Sequence, residues 1–151
     1  MSARAAARLE TIGFTQVYRY QPGRADWFAA GLPREGRDAH TRRVADVADR
    51  NVPICSMKDR IADVRGRLRA ADDLCVVVDR ERVVLGIVAR EALDGDADRP
   101  VEDVMQTSPV TFRPPVEAGK LPEYVRSQQI RRALVTTSDG ILIGLLRLDV
   151  K

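Results

Sequence analysis

Few side chains in this sequence have the type and spacing that catalysis requires. Neither cysteine belongs to a Cys-x-x-Cys pair, so Cys55 and Cys75 predict no disulfide framework and no zinc motif. Cys75 lies inside an apolar run, which favours a buried and inert thiol. Cys55 lies near Met57 and Lys58, with no histidine close in the sequence to act as its base. The single histidine, His40, lies in a polar segment and is expected at the surface.

The rest of the sequence offers no other catalytic arrangement. It contains no paired carboxylates, no metal-spaced histidine cluster, no nucleophile elbow and no glycine loop that would cradle a phosphate. We therefore predict that the chain is not an enzyme, has no catalytic residues and holds no metal. A weak sulfurtransferase that uses Cys55 is the enzymatic alternative.

Composition is typical of a small folded protein. The chain has 151 residues, of which 44% are hydrophobic and 31% charged, enough for one compact domain with a core. Its net charge is +3, and acids lie among the arginines, which indicates solvated faces rather than a nucleic-acid surface. No apolar run reaches the roughly 18–20 residues of a membrane span. Without a signal peptide either, the sequence predicts a cytoplasmic protein.

The elements that must position any site form a repeat of two units. Val83–Val88 and Ile141–Leu146 share three aliphatic residues, a glycine and two more aliphatic residues. The glycines lie 144 − 86 = 58 positions apart, and Cys75–Val78 matches Ala133–Thr136 at the same offset. Upstream the offset is 57, at which three apolar positions of a predicted helix match: Ile61, Val64 and Leu68 fall on Ala118, Leu121 and Val125. Neither unit could bury its apolar face alone.

Each unit has the predicted element order β-α-β-β-α. In the first unit these are an extended piece at Val52–Cys55, a helix at Arg60–Ala71 capped by Asp59, two strands around a turn at Asp79–Arg82, and a helix at Arg90–Leu93. In the second they are Pro109–Phe112, a helix near Ala118–Ser127, and two strands around a turn at Thr137–Gly140. The sequence therefore predicts an α/β (α+β) fold of two tandem β-α-β-β-α units.

An arm precedes the repeat. Ala3–Gly13 is predicted to be a helix, and Phe14–Tyr20 a strand because aromatic and β-branched residues alternate there. Asp26–Ala30 is predicted to be one or two helical turns that end at Gly31. The predicted domains are an arm and linker over residues 1–40, a first unit over 41–98 and a second unit over 99–151.

The repeat resembles a tandem pair of cystathionine-β-synthase (CBS) domains from about Val44 to Lys151. Val101–Met105 and Ser108–Thr111 are similar to the start of the family's second domain, and Asp139–Leu146 to its hairpin. The resemblance implies a flat pseudo-symmetric pair that dimerises and binds AMP, ATP or S-adenosylmethionine between the units. We therefore expect a non-catalytic regulatory module that forms a homodimer, senses an adenosine-type ligand and acts on an unidentified protein partner.

The ligand signature of that family is altered in both units. After the hairpin glycine the family has a Thr or Ser for the phosphate and an Asp or Asn for the ribose. The first unit has Ala89 and Ala92 at these positions, so we expect no ligand there in the usual mode. The second unit has Arg147 in place of the hydroxyl residue and Asp149 one position early.

If the second unit binds a ligand, the resemblance assigns the site to six residues. Arg147 would pair with a phosphate and Asp149 would reach the ribose, while two further arginines would add positive charge. The full set is Val110, Thr111, Arg131, Arg132, Arg147 and Asp149. The alternative is that the three arginines are solvated or pair with nearby acids, which favours a purely structural dimerisation or interaction module.

The arm resembles the end of a rhodanese domain from about Ala5 to Gly36. The likeness rests on Gly13–Tyr20 and on Asp26–Pro33, which contains the phrase Trp-x-x-x-Gly-Leu-Pro. In that family the loop that holds the sulfur-carrying cysteine precedes this segment, so we expect no sulfur-transfer site in the chain. A fragment of a longer rhodanese–CBS fusion with a sulfurtransferase-related role is the corresponding alternative.

Overall fold

The computed structural model describes residues 3–121, 125 and 127–148, and its arm contains two helices. These are α1 (Ala3–Thr11) and α2 (Gly23–Ala29). The predicted strand at Phe14–Tyr20 is wrong, because this segment is irregular and pairs with neither sheet. Alternation of residue types is not sufficient for a strand, whose backbone groups need a neighbouring edge.

Helix α2 docks the arm onto the rest of the chain. Phe28 is buried, and the guanidinium groups of Arg34 and Arg43 lie 5.3 and 5.8 Å from the centre of its ring. Arg43 also forms an ion pair with Glu117 of the second unit, at 3.2 Å. The cation–π contact between Arg43 and Phe28 therefore holds the arm against a residue that is itself paired with the second unit.

The first unit forms a four-stranded sheet with the order β1-β2-β3-β4. Its strands are β1 (Ile54–Cys55), β2 (Leu74–Val78), β3 (Val84–Ala89) and β4 (Gln106–Thr107). Strand β1 is parallel to β2, and the other pairs are antiparallel. The helices are α3 (Val44–Val47), α4 (Ile61–Arg67) and a 3-10 helix at Arg90–Asp94.

The second unit repeats this pattern in a three-stranded sheet of β5 (Thr111–Phe112), β6 (Arg132–Thr136) and β7 (Leu142–Arg147). Ile54 lies opposite Val76 in the first unit, and Thr111 lies opposite Leu134 in the second. These partners differ by 111 − 54 = 57 and 134 − 76 = 58 positions, the two offsets of the repeat. The α/β (α+β) fold of two tandem units is therefore confirmed.

Helix α4 differs from its prediction at both ends. Its N-cap is Arg60 and not Asp59, whose carboxylate instead accepts a hydrogen bond from the Ser56 N–H and pairs with Arg67. The helix ends at Arg67 and not at Ala71, because the Asp72 carboxylate takes the backbone N–H of Arg69 at 2.9 Å. In the second unit residues 118–121 form a turn, and Val125 and Ser127 are helical. The rest of the helix predicted near Ala118–Ser127 lies outside the described residues.

The two units exchange the segments that lead into them. These lead-in segments are residues 44–49, before the first unit's β1, and residues 101–107, before the second unit's β5. Val44 is fully buried in the core of the second unit, and Val101 is fully buried in the core of the first. The Val44 N–H donates to the Val116 carbonyl at 2.8 Å, and the Val101 N–H donates to the Asp59 carbonyl at 2.9 Å. Each core is therefore completed by residues that precede the other unit.

A third cluster fills the seam between the units, where β2 and β3 meet β6 and β7. Its buried members are Leu74, Val76, Val78, Leu134, Leu142 and Leu145. The hairpins also share backbone hydrogen bonds there, from the Val84 N–H to the Gly140 carbonyl and from the Leu142 N–H to the Arg82 carbonyl, both 3.0 Å long. Among the described helices none is long and apolar enough to cross a membrane.

The exchange of lead-in segments requires a glycine in each hairpin, because the backbone of the segment lies against the strand. A Cβ atom on Gly144 would lie 2.6 Å from the Asp49 carbonyl oxygen, and one on Gly86 would lie 2.7 Å from that of Gln106. At the first of these contacts Asp49 and Leu145 exchange two backbone hydrogen bonds of 2.9 Å. Any side chain would therefore push the lead-in segment off the strand.

We predict that Gly144→Ala lowers the free energy of unfolding by about 1–3 kcal/mol, because the backbone at Asp49 must move. Gly66 in α4 is the matched control, since a Cβ there meets nothing within 4 Å. Gly66→Ala should leave stability unchanged or raise it by up to about 1 kcal/mol. Urea denaturation measures both, and equal stability of the two variants would contradict the close approach.

Candidate functional site

Four charged side chains meet across the seam and form what we call the seam cluster: Asp49, Asp73, Arg132 and Arg147. Arg132 Nε lies 3.0 Å from Asp73 Oδ2, and Arg147 Nη1 lies 3.1 Å from Asp49 Oδ2. Arg147 Nη2 is a further 3.6 Å from Asp73 Oδ1. The acids come from the first unit and its lead-in segment, and the arginines from the second unit. The cluster therefore links the two units by charge.

The fold positions each member of the seam cluster. Arg132 begins β6 and Arg147 ends β7, and the two are register partners at the open end of that hairpin. Two cations opposite each other repel, and Asp73 contacts both of them. Asp49 is held by its backbone bonds to Leu145, which place it beside Arg147.

The cluster is half-exposed, with side chains that retain 34–45% of their accessible surface. The Asn51 N–H donates to the Asp49 carboxylate at 2.9 Å, and this bond, together with Arg147, holds the pKa of Asp49 below its usual range. Asp73 Oδ1 is buried and has no hydrogen-bond partner in the described part of the chain. The cluster thus contains one acceptor whose pairing is incomplete.

A second set of polar contacts holds the loop that carries Asp73. Arg69 binds the buried Asp72 carboxylate through two hydrogen bonds of 2.8 and 2.9 Å, which keep the pKa of Asp72 below its usual range. Arg90 donates from Nε to the Asp72 carbonyl at 2.7 Å and from its backbone N–H to the Asp73 carbonyl at 3.0 Å. The loop is therefore tied to both flanking segments, and Asp73 has a defined position.

Of the five predicted site residues that the structure describes, Arg132 and Arg147 meet in the seam cluster, and Val110 lines a small cavity with Arg132. Val110 is half-buried and its carbonyl accepts the Leu134 N–H at 2.8 Å, while Thr111 is exposed on β5. Arg131 is exposed beside the cluster, with no ion pair in the described residues. Asp149 lies outside the described residues.

The space between the units at this end is nearly closed. A cavity of about 20 Å³ is bounded by Val110, Arg132 and side chains of both hairpins, among them Leu74 and Leu145. This volume holds one water molecule at most. An adenosine group does not fit into this closed cavity. It would fit only in a conformation in which the two units have moved apart.

Sequence reasoning missed the two acids of the seam cluster. Asp73 aligns with Arg131 at the offset of 131 − 73 = 58, so equivalent positions of the repeat carry opposite charges. This reversal of charge between equivalent positions is the feature from which a role for Asp73 could have been predicted. No comparable signal marks Asp49, which reaches Arg147 only because the lead-in segments are exchanged.

The cysteines have the surroundings of structural residues. Cys55 is 4% exposed and Cys75 1% exposed, and the Cys55 thiol donates to the Val76 carbonyl at 3.9 Å. The neighbouring Cys55 thiol and burial raise the pKa of Cys75 far above its usual range, so the Cys75 thiol stays protonated at neutral pH. Among the residues that the structure describes, no group of three or more His, Cys, Asp or Glu side chains could hold a metal ion.

We predict that Arg147→Ala raises the pKa of Asp49 toward its usual value but does not restore it fully, because the Asn51 N–H still binds the carboxylate. A lowered folded-state pKa contributes stability above the unfolded value of about 3.9, and this is lost as the pH falls through the folded value. The variant should therefore lose less stability than the wild type between about pH 4 and pH 2. Carboxyl NMR titration and acid unfolding measure both effects.

Arg131→Ala is the matched control for this titration, because Arg131 lies next to the cluster without contacting either acid. It should leave the pKa of Asp49 unchanged. An unchanged Asp49 pKa in Arg147→Ala as well would show that the ion pair across the seam does not form.

No family model matches the chain, and no curated protein matches it. Solved structures do match. The acetoin utilization protein AcuB from Vibrio cholerae has a TM-score of 0.63 at 21% identity, over 71% of this chain and 84% of that chain. The CBS domain protein PAE2072 from Pyrobaculum aerophilum, complexed with AMP, has a TM-score of 0.60 at 21% identity, over 70% and 87%.

The CBS domain pair of MJ0100, in complex with 5′-methylthioadenosine and S-adenosylmethionine, has a TM-score of 0.61 at 13% identity, over 71% of this chain and 90% of that chain. At these identities the likeness concerns the fold. The rhodanese-like origin of the arm stays a prediction. The chain therefore has the fold of a CBS domain pair, as the resemblance of its sequence implies.

Proposed function

We propose that this chain is a non-catalytic regulatory module that senses an adenosine-type ligand at the seam. The observation that carries the proposal is the convergence of Arg132 and Arg147, both from the second unit, on Asp73 across the seam. Arg147 also occupies the position where the CBS resemblance places a phosphate-binding hydroxyl. AMP and S-adenosylmethionine in similar structures support an adenosine-type ligand.

The chemistry of the proposed site is an exchange of anions. A guanidinium binds a phosphate through two hydrogen bonds as readily as it binds a carboxylate, so a ligand phosphate would compete with Asp73 and Asp49 for Arg147. Arg131, exposed nearby, would add positive charge, and Asp149 would accept hydrogen bonds from the ribose hydroxyl groups. Val110 and Thr111 would flank the adenine.

Such an exchange would act on the whole module. The ligand would break contacts that join the two units and would need more space than the closed cavity of about 20 Å³ provides. Binding would therefore favour a conformation with a wider seam, in proportion to its preference for that conformation. We propose that a homodimer or a cytoplasmic protein partner responds to this change.

The alternative is a purely structural dimerisation or interaction module. The closed cavity and the ion pairs that already engage Arg132 and Arg147 favour it, because arginines that are paired within the protein need no ligand. The two proposals differ in what removal of an acid should do. In a sensor, removal of the acid eliminates a carboxylate that competes with the ligand for the arginines. In a structural module, the same removal only weakens the contacts between the units.

We predict that one of AMP, ATP and S-adenosylmethionine raises the melting temperature by several degrees at a hundred times its Kd, which corresponds to about 2.7 kcal/mol. Asp73→Asn should tighten binding, because it removes the ion-pair partner of Arg132 and one of the two carboxylates that pair with Arg147. Arg147→Ala should weaken binding at least tenfold. Arg99→Ala, which removes an exposed arginine away from the seam, is the control and should bind normally. Thermal unfolding and titration calorimetry provide the readouts.

Two results would contradict the sensor. One is the absence of any shift in both the wild type and Asp73→Asn, which would identify a structural module. The other is binding that survives in Arg147→Ala and Asp149→Ala, which would place the ligand away from the seam cluster.

A further inference from the structure

The first unit contains an open groove at the end of β2 opposite to the seam cluster. It has a volume of about 530 Å³ and lies between the segment after β1, the end of α4 and the turn that joins β2 to β3. Its floor is apolar and comprises Ile54, Cys55, Met57, Val78 and Leu85. Ile54 remains 36% exposed there, among the few large hydrophobic side chains that the fold leaves accessible. The proposed function uses none of these residues.

The acids that line the groove are already engaged. Asp79 Oδ1 accepts the N–H groups of Glu81 and Val83, each at 2.9 Å, and so forms the turn. Burial raises the pKa of Asp59, but its bonds from Arg67 and the Ser56 N–H outweigh burial and hold this pKa below its usual range. Both carboxylates are therefore already bound by groups of the protein itself.

Two cations on the rim of the groove have no such partner. Within the described residues Lys58 and Arg80 form neither an ion pair nor a side-chain hydrogen bond, although both line the groove. Arg67 also lines the groove and is paired with Asp59. The groove thus combines an apolar floor with two positive groups that are free to bind an anion.

The corresponding region of the second unit is bridged. Arg113, which aligns with Ser56 at the offset 113 − 56 = 57, donates a hydrogen bond to the carbonyl of Thr137. Thr137 aligns with Asp79 at the offset 137 − 79 = 58. An arginine therefore spans the gap between strand end and hairpin turn in one unit, and a serine leaves it open in the other.

We infer that the groove of the first unit binds a small amphipathic organic anion, such as a medium-chain carboxylate. Its apolar body would lie on Ile54, Met57 and Leu85, and its carboxylate would be held by Lys58 and Arg80. Pockets that bind small ligands have this composition, with an apolar lining and a few polar groups that fix orientation. The free cations exclude an amine of the same length, and the apolar floor disfavours an inorganic anion.

The inference is tested on the full chain with octanoate as the probe, and with octylamine as a ligand of the same length and opposite charge. Titration calorimetry should show saturable binding of octanoate and none of octylamine. In methyl NMR the Met57 signal should shift on addition of octanoate, and the Met105 signal, which lies outside the groove, should not.

Three variants make the assignment specific. Lys58→Gln with Arg80→Gln should weaken octanoate binding at least tenfold, whereas Lys120→Gln, an exposed lysine of the second unit, should not change it. Ser56→Arg should reproduce the bridge of the second unit and abolish binding. Circular dichroism should show that each variant is folded.

Three outcomes would overturn the inference: no saturable binding of octanoate, equal binding of octylamine, or a shift of Met105 without a shift of Met57. Displacement of octanoate by AMP would also overturn it, because it would place both ligands at the seam. Failure here leaves the sensor proposal intact, since the two sites share no residue.

Discussion

The close approach of a lead-in segment to a hairpin glycine is the contact on which the rest of this structure depends. At Gly86 and Gly144 the backbone of a segment from the other unit lies where a side chain would otherwise be. This approach places Val101 in the first core and Val44 in the second. Two short sheets, each too small to bury its own apolar face, thereby become one fold.

The same exchange creates the seam cluster and breaks the symmetry of the pair. Backbone hydrogen bonds and core positions repeat between the units, but the charges do not. Asp73 in the first unit aligns with Arg131 in the second, so one side of the seam is acidic and the other basic. The two units therefore share a symmetric backbone but meet at a junction of opposite charges. The open groove beside Lys58 and Arg80 in the first unit, which Arg113 bridges in the second, is another departure from symmetry.

Much of this fold could be predicted because its signals are local. The glycine-centred strands and their offset predict two hairpins at equivalent positions of the two units, each preceded by a short extended segment. The strand predicted at Phe14–Tyr20 was wrong, because alternating residue types do not show whether a sheet edge is available to pair with. The N-cap predicted at Asp59 was wrong, because its carboxylate binds the Ser56 N–H and Arg67 instead. The exchange of lead-in segments is non-local, so the sequence could not place Asp49 beside Arg147.

The most direct test of this account is native-state hydrogen exchange at two equivalent buried amides, Val77 in β2 and Val135 in β6. If the exchanged lead-in segments join the units into one cooperative fold, the two amides should open with the same free energy, equal to that of global unfolding. Gly144→Ala should lower both by the same amount. A lower opening free energy for Val135 than for Val77, or a loss confined to the second unit in Gly144→Ala, would contradict the account.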